Sequence, residues 1–407
     1  MVEAPKRFKI SVSNSVLDDL KERLKTARYP DELEDADWEY GTPVTSLKEF
    51  VAFWQQRYDW NEVENKLNEL PQFTLTANGL NHHFIHKRSL RANAMPLILI
   101  HGWPGSFYEF AKVANQLTEP EGDQQPFHVV VPSLPGYGFS EKPKKRGYGI
   151  AEIAKGLNEL MVKLGYKKYS AHGGDWGALI AHTLASCYPS ECVAVHITLV
   201  LFPPPPLWNF PLAHLKFLAS SIFGAERTYG HEGAKRLERL QAIMKTEMGY
   251  FHIQTTKPQS LAYGLNDSPI GLLAWILEKY HGWTDRRTFD LSSDEAKEII
   301  VTTTMLYWVT ETIPSSMRIY REYRDKNIMT GSLSDGVMTL SSKVPTGVAF
   351  FPCDFPPCPK EWAECYTNIQ RWKEYDKGGH FPGLECPDVL TSDLREYFDL
   401  PVVKKAF

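Results

Sequence analysis

Apolar positions recur at helical spacing in the first 70 residues of the chain. In residues 14–30 they fall every three or four positions, and Pro30 closes the run. A second helical pattern covers 46–67 and is rich in aromatic side chains, which need a surface to cover. We interpret residues 1–70 as a segment that wraps around the rest of the chain.

The pattern changes to strands at residues 73–88. Two apolar runs there are joined by Asn78 and Gly79, a pair typical of a tight hairpin. Crossover helices such as 151–165 separate the later runs. These runs cover 96–101, 127–131, 168–173 and 193–200. Strands that alternate with helices predict an α/β fold with a mostly parallel sheet and flanking helices.

This alternation stops at four prolines, 203–206, and the sheet pattern resumes only at 344–352 and 369–376. Between ordered elements such a proline run favours a stiff connector over a ligand for a proline-binding groove. The intervening residues read as helices and loops, which predicts an inserted helical lid. The division is a wrapping segment at 1–70, a first core part at 71–202, a lid at 203–328 and a second core part at 329–407.

Composition narrows the class of protein. The chain has 407 residues, of which 43% are hydrophobic, and 45 basic residues nearly balance 49 acidic ones. This balance gives no basic surface for nucleic acid. The first ten residues lack the apolar core of a signal peptide, and no apolar run approaches the roughly 18 to 20 residues of a membrane span. We therefore predict a soluble protein without a membrane anchor.

The six cysteines fit a reducing, cytoplasmic location, since they are few and four of them cluster beyond residue 350. Cys353, Cys358 and Cys365 with a histidine form an alternative zinc site. Their spacing lacks the compact pairs of known zinc motifs, so we predict no metal.

Candidate chemistry begins at 173–177, where Gly173 and Gly177 flank Asp175 at two positions on either side. This is the outline of a nucleophile elbow, a sharp turn from strand to helix that usually carries serine at its centre. The alternative is an ordinary helix start with an acid in its first turn. The motif alone does not decide between them.

A second feature is the loop 101–106, which follows a predicted strand directly. α/β-Hydrolases place an N–H donor of the oxyanion hole in this loop. The backbone N–H of Trp103 is the candidate donor, and that of Trp176 is its partner.

The third feature is the chain order of Asp175, Asp354 and His380. Nucleophile, acid and histidine follow one another in this order in α/β-hydrolases. Asp354 ends a predicted strand, and His380 follows a late strand through a Gly-Gly loop, unlike the other twelve of the 13 histidines. We predict that these three residues form the catalytic triad.

Together these residues resemble the microsomal-type epoxide hydrolases of the α/β-hydrolase fold, including their soluble fungal members. The resemblance extends over nearly the whole chain, from residues 8–12 to 377–385. The most specific motifs are 101-HGWPGS-106, 132-PSLPGYGFS-140, 172-HGGDWG-177 and the lid run 249–279.

The resemblance implies a role for each site residue. Asp175 is the nucleophile, His380 the general base and Asp354 its charge-relay acid, where mammalian members often carry Glu. Two lid tyrosines, matched by position to Tyr250 and Tyr320, are the acids that activate the epoxide oxygen. Three further tyrosines, Tyr263, Tyr307 and Tyr323, stay open as alternatives to them.

The implied activity is hydrolysis of hydrophobic epoxides to vicinal diols through an aspartyl ester, with water as co-substrate and no cofactor. Its biological role would be detoxification, including breakdown of aromatic hydrocarbons, or a biosynthetic epoxide opening. A homodimer is left open. Two other functions compete: haloalkane dehalogenation, whose halide needs N–H donors, and a binding protein without activity, which would not require the triad.

Overall fold

A computed structural model describes residues 4–328 and 340–407 of the chain. In this part, nine strands form one sheet. They are β1 Lys6–Arg7, β2 Gln72–Ala77, β3 Leu80–Lys87, β4 Met95–Ile100, β5 Phe127–Pro132, β6 Tyr169–Gly173, β7 Cys192–Ile197, β8 Ser342–Phe350 and β9 Thr367–Glu374. Every predicted strand run is present.

The sheet order is β1-β2-β3-β5-β4-β6-β7-β8-β9. Strands β4 to β9 pair in parallel, whereas β1, β2 and β3 are antiparallel to their neighbours. The hairpin between β2 and β3 turns at Asn78 and Gly79, which have φ values of 45° and 77°. Two successive positive φ angles are those of a type I′ hairpin turn, which suits the twist of the strands. The mostly parallel sheet is confirmed.

Eighteen α-helices accompany the sheet in the described residues. Helices α4, α5, α6 and α17 lie against it or against one another. The helices are α1 Asn14–Lys25, α2 Val44–Gln56, α3 Trp60–Asn68, α4 Ala111–Thr118, α5 Ile150–Lys163, α6 Trp176–Cys187, α7 Pro211–Phe223, α8 Ala225–Thr246, α9 Gly249–Thr256, α10 Pro258–Asp267, α11 Pro269–Trp283, α12 Asp294–Thr310, α13 Ile313–Ser316, α14 Arg318–Ile328, α15 Lys360–Tyr366, α16 Pro382–Glu385, α17 Pro387–Phe398 and α18 Pro401–Lys404.

Helices α7 to α14 all lie between β7 and β8, in the segment 203–328 that we call the lid. Residues 329–339, with which the predicted second core part begins, lie outside the described residues. Across the ranges that the structure covers, we find no helix that combines the length and the apolar character needed to cross a bilayer.

The wrapping segment differs from the prediction in one respect. The single helical stretch expected over 46–67 is wrong, because α2 ends at Gln56 and α3 begins at Trp60. Asp59 explains the break: its carboxylate accepts a hydrogen bond of 2.8 Å from the backbone N–H of Asn61 and so caps the new helix.

This segment packs on the lid. Helices α1 and α2 contact α11, and α2 also contacts α12. Arg23 donates to the carbonyl oxygen of Asp267 at 2.7 Å, and the hydroxyls of Tyr58 and Thr302 are 3.1 Å apart. The aromatic side chains of α2, including the buried Trp54, thus find their cover partly in the lid.

Helix α6 approaches strand β4 so closely that residue 177 has no room for a side chain. A methyl group on Gly177 would lie 2.0 Å from the carbonyl oxygen of Ile100. We expect Gly177→Ala to lower the free energy of unfolding by about 3 kcal/mol or more, because α6 and β4 must move apart to make room for the methyl group. Urea unfolding followed by circular dichroism measures the change.

The matched control is Gly264→Ala in α10, where an added methyl would meet no atom within 4 Å. Since alanine favours a helix over glycine by about 1 kcal/mol, this variant should be as stable as the parent or more stable. Equal stability of the Gly177→Ala and Gly264→Ala variants would contradict the close approach of α6 to β4.

Candidate active site

Asp175 lies in the turn between β6 and α6, with φ of 49° and ψ of −130°. A non-glycine residue rarely adopts such angles, and strain of this kind concentrates at functional sites. The two predicted glycines make the turn possible. A methyl on Gly173 would lie 2.2 Å from the carbonyl of Gly177, and Gly177 itself touches β4. The backbone is thus that of a nucleophile elbow.

The loop after β4 holds one oxygen of this carboxylate. The backbone N–H of Trp103 donates to Asp175 Oδ1 at 2.8 Å, and a methyl on Gly102 would lie 2.2 Å from the same oxygen. Trp176, the other expected donor, is the first residue of α6. Its N–H belongs to the first turn of that helix, where backbone donors have no intrahelical acceptor.

His380 connects the two other triad members. Its Nδ1 is 2.6 Å from Asp354 Oδ1, and its Nε2 is 3.5 Å from Asp175 Oδ2. The second distance is that of an ion pair rather than of a short hydrogen bond. The backbone N–H of His380 donates to the carbonyl oxygen of Trp283 at 2.8 Å, which fixes the loop after β9. The structure therefore brings together the three residues that chain order suggested.

The charges around His380 determine its protonation. Burial acts to lower the pKa of His380, but the negative charge of Asp354 and the attraction of Asp175 outweigh it and hold this pKa well above its ordinary value. The two neighbouring carboxylates therefore favour the protonated form of the imidazole. The ring lies between two acids, Asp354 and Asp175, and both stabilise a positive charge on it.

Tyr250 on α9 and Tyr320 on α14 lie over the nucleophile. Tyr250 stacks on the Trp103 indole at 5.5 Å between ring centres, and Tyr320 meets the Trp176 ring edge-on at 4.7 Å. Burial raises the pKa of both phenols well above 10, and the negative charge of Asp175 acts in the same direction. Both hydroxyls thus keep their protons and can donate hydrogen bonds to an oxygen on which negative charge develops.

The three alternative tyrosines have other surroundings. Tyr263 is 73% exposed on the lid surface. The Tyr307 hydroxyl donates to the carbonyl oxygen of Gly105 at 2.8 Å and so holds the loop of Trp103. Tyr323 packs edge-on against Trp176 at 5.3 Å and lines the cavity described next.

A cavity of about 350 Å³ lies above Asp175 between the sheet and the lid. Its walls are almost entirely apolar or aromatic, as is usual for pockets that bind small molecules. The lining residues are Asp175, Trp176, Leu179, Leu199, Leu201, Leu240, Met244, Met248, Tyr250, Phe251, Tyr320, Tyr323 and Phe355.

Two buried acids near the triad were not predicted from the sequence. Burial raises the pKa of Glu109 to about 8 and that of Glu385 to about 7. Glu385 accepts hydrogen bonds from the backbone N–H groups of Asp285 at 2.8 Å and Phe381 at 2.9 Å, which anchors the loop of His380. In the sequence, Glu109 stands between aromatic residues directly after the Trp103 loop. An acid among aromatic residues next to a catalytic loop is the signal that could have identified it as a buried site residue.

Comparison with known proteins assigns the chain to a protein family. A family model described as "Epoxide hydrolase N terminus" matches residues 5–110, and one described as "alpha/beta hydrolase fold" matches 95–326. A putative epoxide hydrolase of Stigmatella aurantiaca is 40% identical over 96% of this chain and 84% of the relative. The chain belongs to the epoxide hydrolase family. Epoxide hydrolase 1 of Sus scrofa is also similar, at 36% identity over 98% of the chain and 89% of the relative.

Solved structures of epoxide hydrolases agree with this assignment. The juvenile hormone epoxide hydrolase of Bombyx mori superposes with a TM-score of 0.87 at 32% identity, over 99% of this chain and 95% of that one. The Aspergillus niger epoxide hydrolase superposes with a TM-score of 0.83 at 31% identity, over 100% of this chain and 97% of that one. The predicted resemblance, the α/β-hydrolase fold with its inserted lid, and the enzyme class are thereby confirmed. The chain is an enzyme that hydrolyses epoxides.

The charge arrangement at His380 generates a prediction for this epoxide hydrolase. Asp354→Asn removes the negative charge 2.6 Å from Nδ1. The imidazolium then loses its main partner, so the pKa of His380 should fall by about one pH unit or more. Titration of the histidine ring nitrogens by NMR measures it.

The control for this titration is Asp290→Asn at an exposed lid acid, which should leave the His380 signal unmoved. A His380 pKa that stays in place in Asp354→Asn would show that Asp354 does not stabilise the charged ring.

Proposed function

We propose that the enzyme converts hydrophobic epoxides to vicinal diols through a covalent ester on Asp175. The observation that carries the proposal is the position of this carboxylate, with one oxygen on the Trp103 N–H and the other 3.5 Å from His380 Nε2. An ionised carboxylate needs no base before it attacks, so an acid can replace the serine of other elbows.

In the first step Asp175 Oδ2 bonds to an epoxide carbon, and the bond from that carbon to the epoxide oxygen breaks. The oxygen receives a proton from the pair Tyr250 and Tyr320, which line the same cavity as the nucleophile. Asp175 Oδ1, already held by Trp103, becomes the ester carbonyl oxygen. The carbonyl therefore forms inside its oxyanion hole.

Ester formation also changes the role of His380. The Asp175 charge, which helps to hold the His380 pKa high, disappears when the ester forms. The imidazolium then gives up its proton more readily, and that proton replaces the one given by the tyrosine pair. The neutral ring, oriented by Asp354, is ready to act as a base.

In the second step His380 Nε2 takes a proton from water, and the water oxygen bonds to the Asp175 carbonyl carbon. The negative charge on Oδ1 is stabilised by the N–H groups of Trp103 and Trp176. The bond between the carbonyl carbon and the substrate oxygen then breaks. The diol leaves with the proton from His380, and Asp175 keeps one oxygen from water. The proton on that oxygen then passes to His380 Nε2, which restores the starting charges.

The apolar cavity supports aryl or alkyl epoxides as the substrate class. Detoxification, including breakdown of aromatic hydrocarbons, is the role that fits a broad hydrophobic cavity, with biosynthetic epoxide opening as the alternative. The cytoplasmic location and the homodimer stay predictions.

A single turnover in oxygen-18 water tests the ester. With enzyme in excess over styrene oxide, we expect label in the peptide that contains Asp175 and unlabelled oxygen in the diol. Mass spectrometry of both products measures it, and Asp175→Ala should abolish turnover. Label in the diol with none in the enzyme would show direct attack of water and exclude the ester.

The two tyrosines are tested by Tyr250→Phe and Tyr320→Phe. Each change removes one proton donor and should slow ester formation by about 10²-fold, the lower range for a general acid. Rapid acid quenching of labelled enzyme measures this rate. Tyr263→Phe, on the lid surface, should behave like the parent enzyme. If neither variant slows ester formation, the assignment of the acids is wrong.

A further inference from the structure

Lys279 on α11 is a buried cation next to the active site. The residue is 4% exposed, although lysine is almost never fully buried unless its charge has a partner. Its ammonium pairs with the carboxylate of Glu278. Burial lowers the pKa of Lys279, and the charge of Glu278 opposes this effect.

Three aromatic rings surround this ammonium. Lys279 Nζ lies 4.3 Å from the ring centre of Tyr250, 5.5 Å from that of Trp283 and 5.6 Å from that of Trp275. We call these three rings the aromatic cage. All three distances are within the roughly 6 Å over which a cation is attracted to the negative face of a ring.

The aromatic cage is continuous with the reacting groups. Tyr250 stacks on Trp103, whose N–H holds Asp175. Trp283 contacts Tyr250 at 5.3 Å and His380 at 4.9 Å between ring centres. The shortest of the three cation contacts is the one to the tyrosine that acts as an acid in the proposed function.

We propose that Lys279 is a positioning residue for Tyr250: its charge fixes the ring and stabilises the negative charge that develops on the phenol as the proton passes to the epoxide oxygen. This inference rests on the proposed function, because it assigns a partner to the proposed acid. Fixed charges act strongly in such a site, since water is excluded from it.

Other charged and titratable groups also act on Tyr250. Burial raises the pKa of Tyr250, the charges of Asp175 and Glu278 act in the same direction, and the neighbouring Tyr320 hydroxyl lowers it. Three of these influences therefore resist loss of the proton. A cation over the ring opposes them, and Glu278 and Lys279 should have opposite effects on the same step.

The test compares Lys279→Met, which keeps the length and apolar stem of the side chain, with Lys279→Arg, which keeps the charge. In single turnovers of styrene oxide, the Met variant should form the ester about tenfold more slowly, as expected for a cation–π contact in a desolvated site. Its rate of ester hydrolysis should stay within about twofold of the parent, because His380 performs that step. The Arg variant should recover most of the loss.

A double variant separates positioning from a general effect on structure. If Lys279 acts through Tyr250, Lys279→Met should cause little further loss in a Tyr250→Phe enzyme, since no phenol remains to be stabilised. An equal loss in both backgrounds would overturn the inference, as would equal slowing of both chemical steps or an unchanged rate of ester formation. A normal rate in Tyr250→Phe alone would instead overturn the proposed acid.

If Lys279→Met does not fold, Glu278→Gln tests the role of Lys279 instead. This change removes the negative charge that opposes Lys279 at the phenol. Because it also removes the charge that supports the Lys279 ammonium, the variant is compared with the parent over a pH series, and the acidic end of the series, where Lys279 most readily keeps its proton, decides the outcome. Ester formation should be unchanged or faster than in the parent enzyme. Slower ester formation, with the same melting temperature, would overturn the inference.

Discussion

The close approach of α6 to β4 is the constraint on which the active site depends. Gly177 lies against the carbonyl of Ile100, directly after the turn in which Asp175 adopts its rare backbone conformation. The same turn directs the carboxylate toward the N–H of Trp103, which lies in the loop that follows β4. One contact between two backbones therefore fixes the nucleophile and one of its hydrogen-bond donors together.

Around this turn, buried charged groups are paired with groups of opposite charge. The carboxyl groups of Asp354 and Asp175 lie on either side of the His380 ring, and Lys279 with Glu278 forms a second pair behind Tyr250. A buried charge is costly unless a partner compensates for it. In the proposed mechanism, ester formation removes the Asp175 charge and thereby favours release of the proton from His380. If the ester forms as proposed, the first chemical step thus lowers the pKa of the histidine that acts as the base in the second step.

The sequence predicted those parts of the protein that local rules determine. The turn at Asn78 and Gly79, the strand runs and the elbow glycines each depend on backbone preferences that neighbouring residues reveal. The break between α2 and α3 was missed because the aromatic pattern runs through it, while the cap at Asp59 interrupts the helix. Glu109 and Lys279 were missed for a different reason. Charged residues on apolar elements look like surface positions until the fold buries them.

The tyrosines show why the rest of the site needed a structure. Tyr250 and Tyr320 come from helices of the lid, whereas Asp175, Asp354 and His380 come from turns and loops that follow strands. Sequence spacing cannot tell which of several lid tyrosines lies over the nucleophile, because that depends on how the lid packs. The wrapping segment holds the lid in turn, through α1 and α2 on α11. Since α11 also carries Lys279, the N-terminal helices support the helix that places a cation behind the proposed acid.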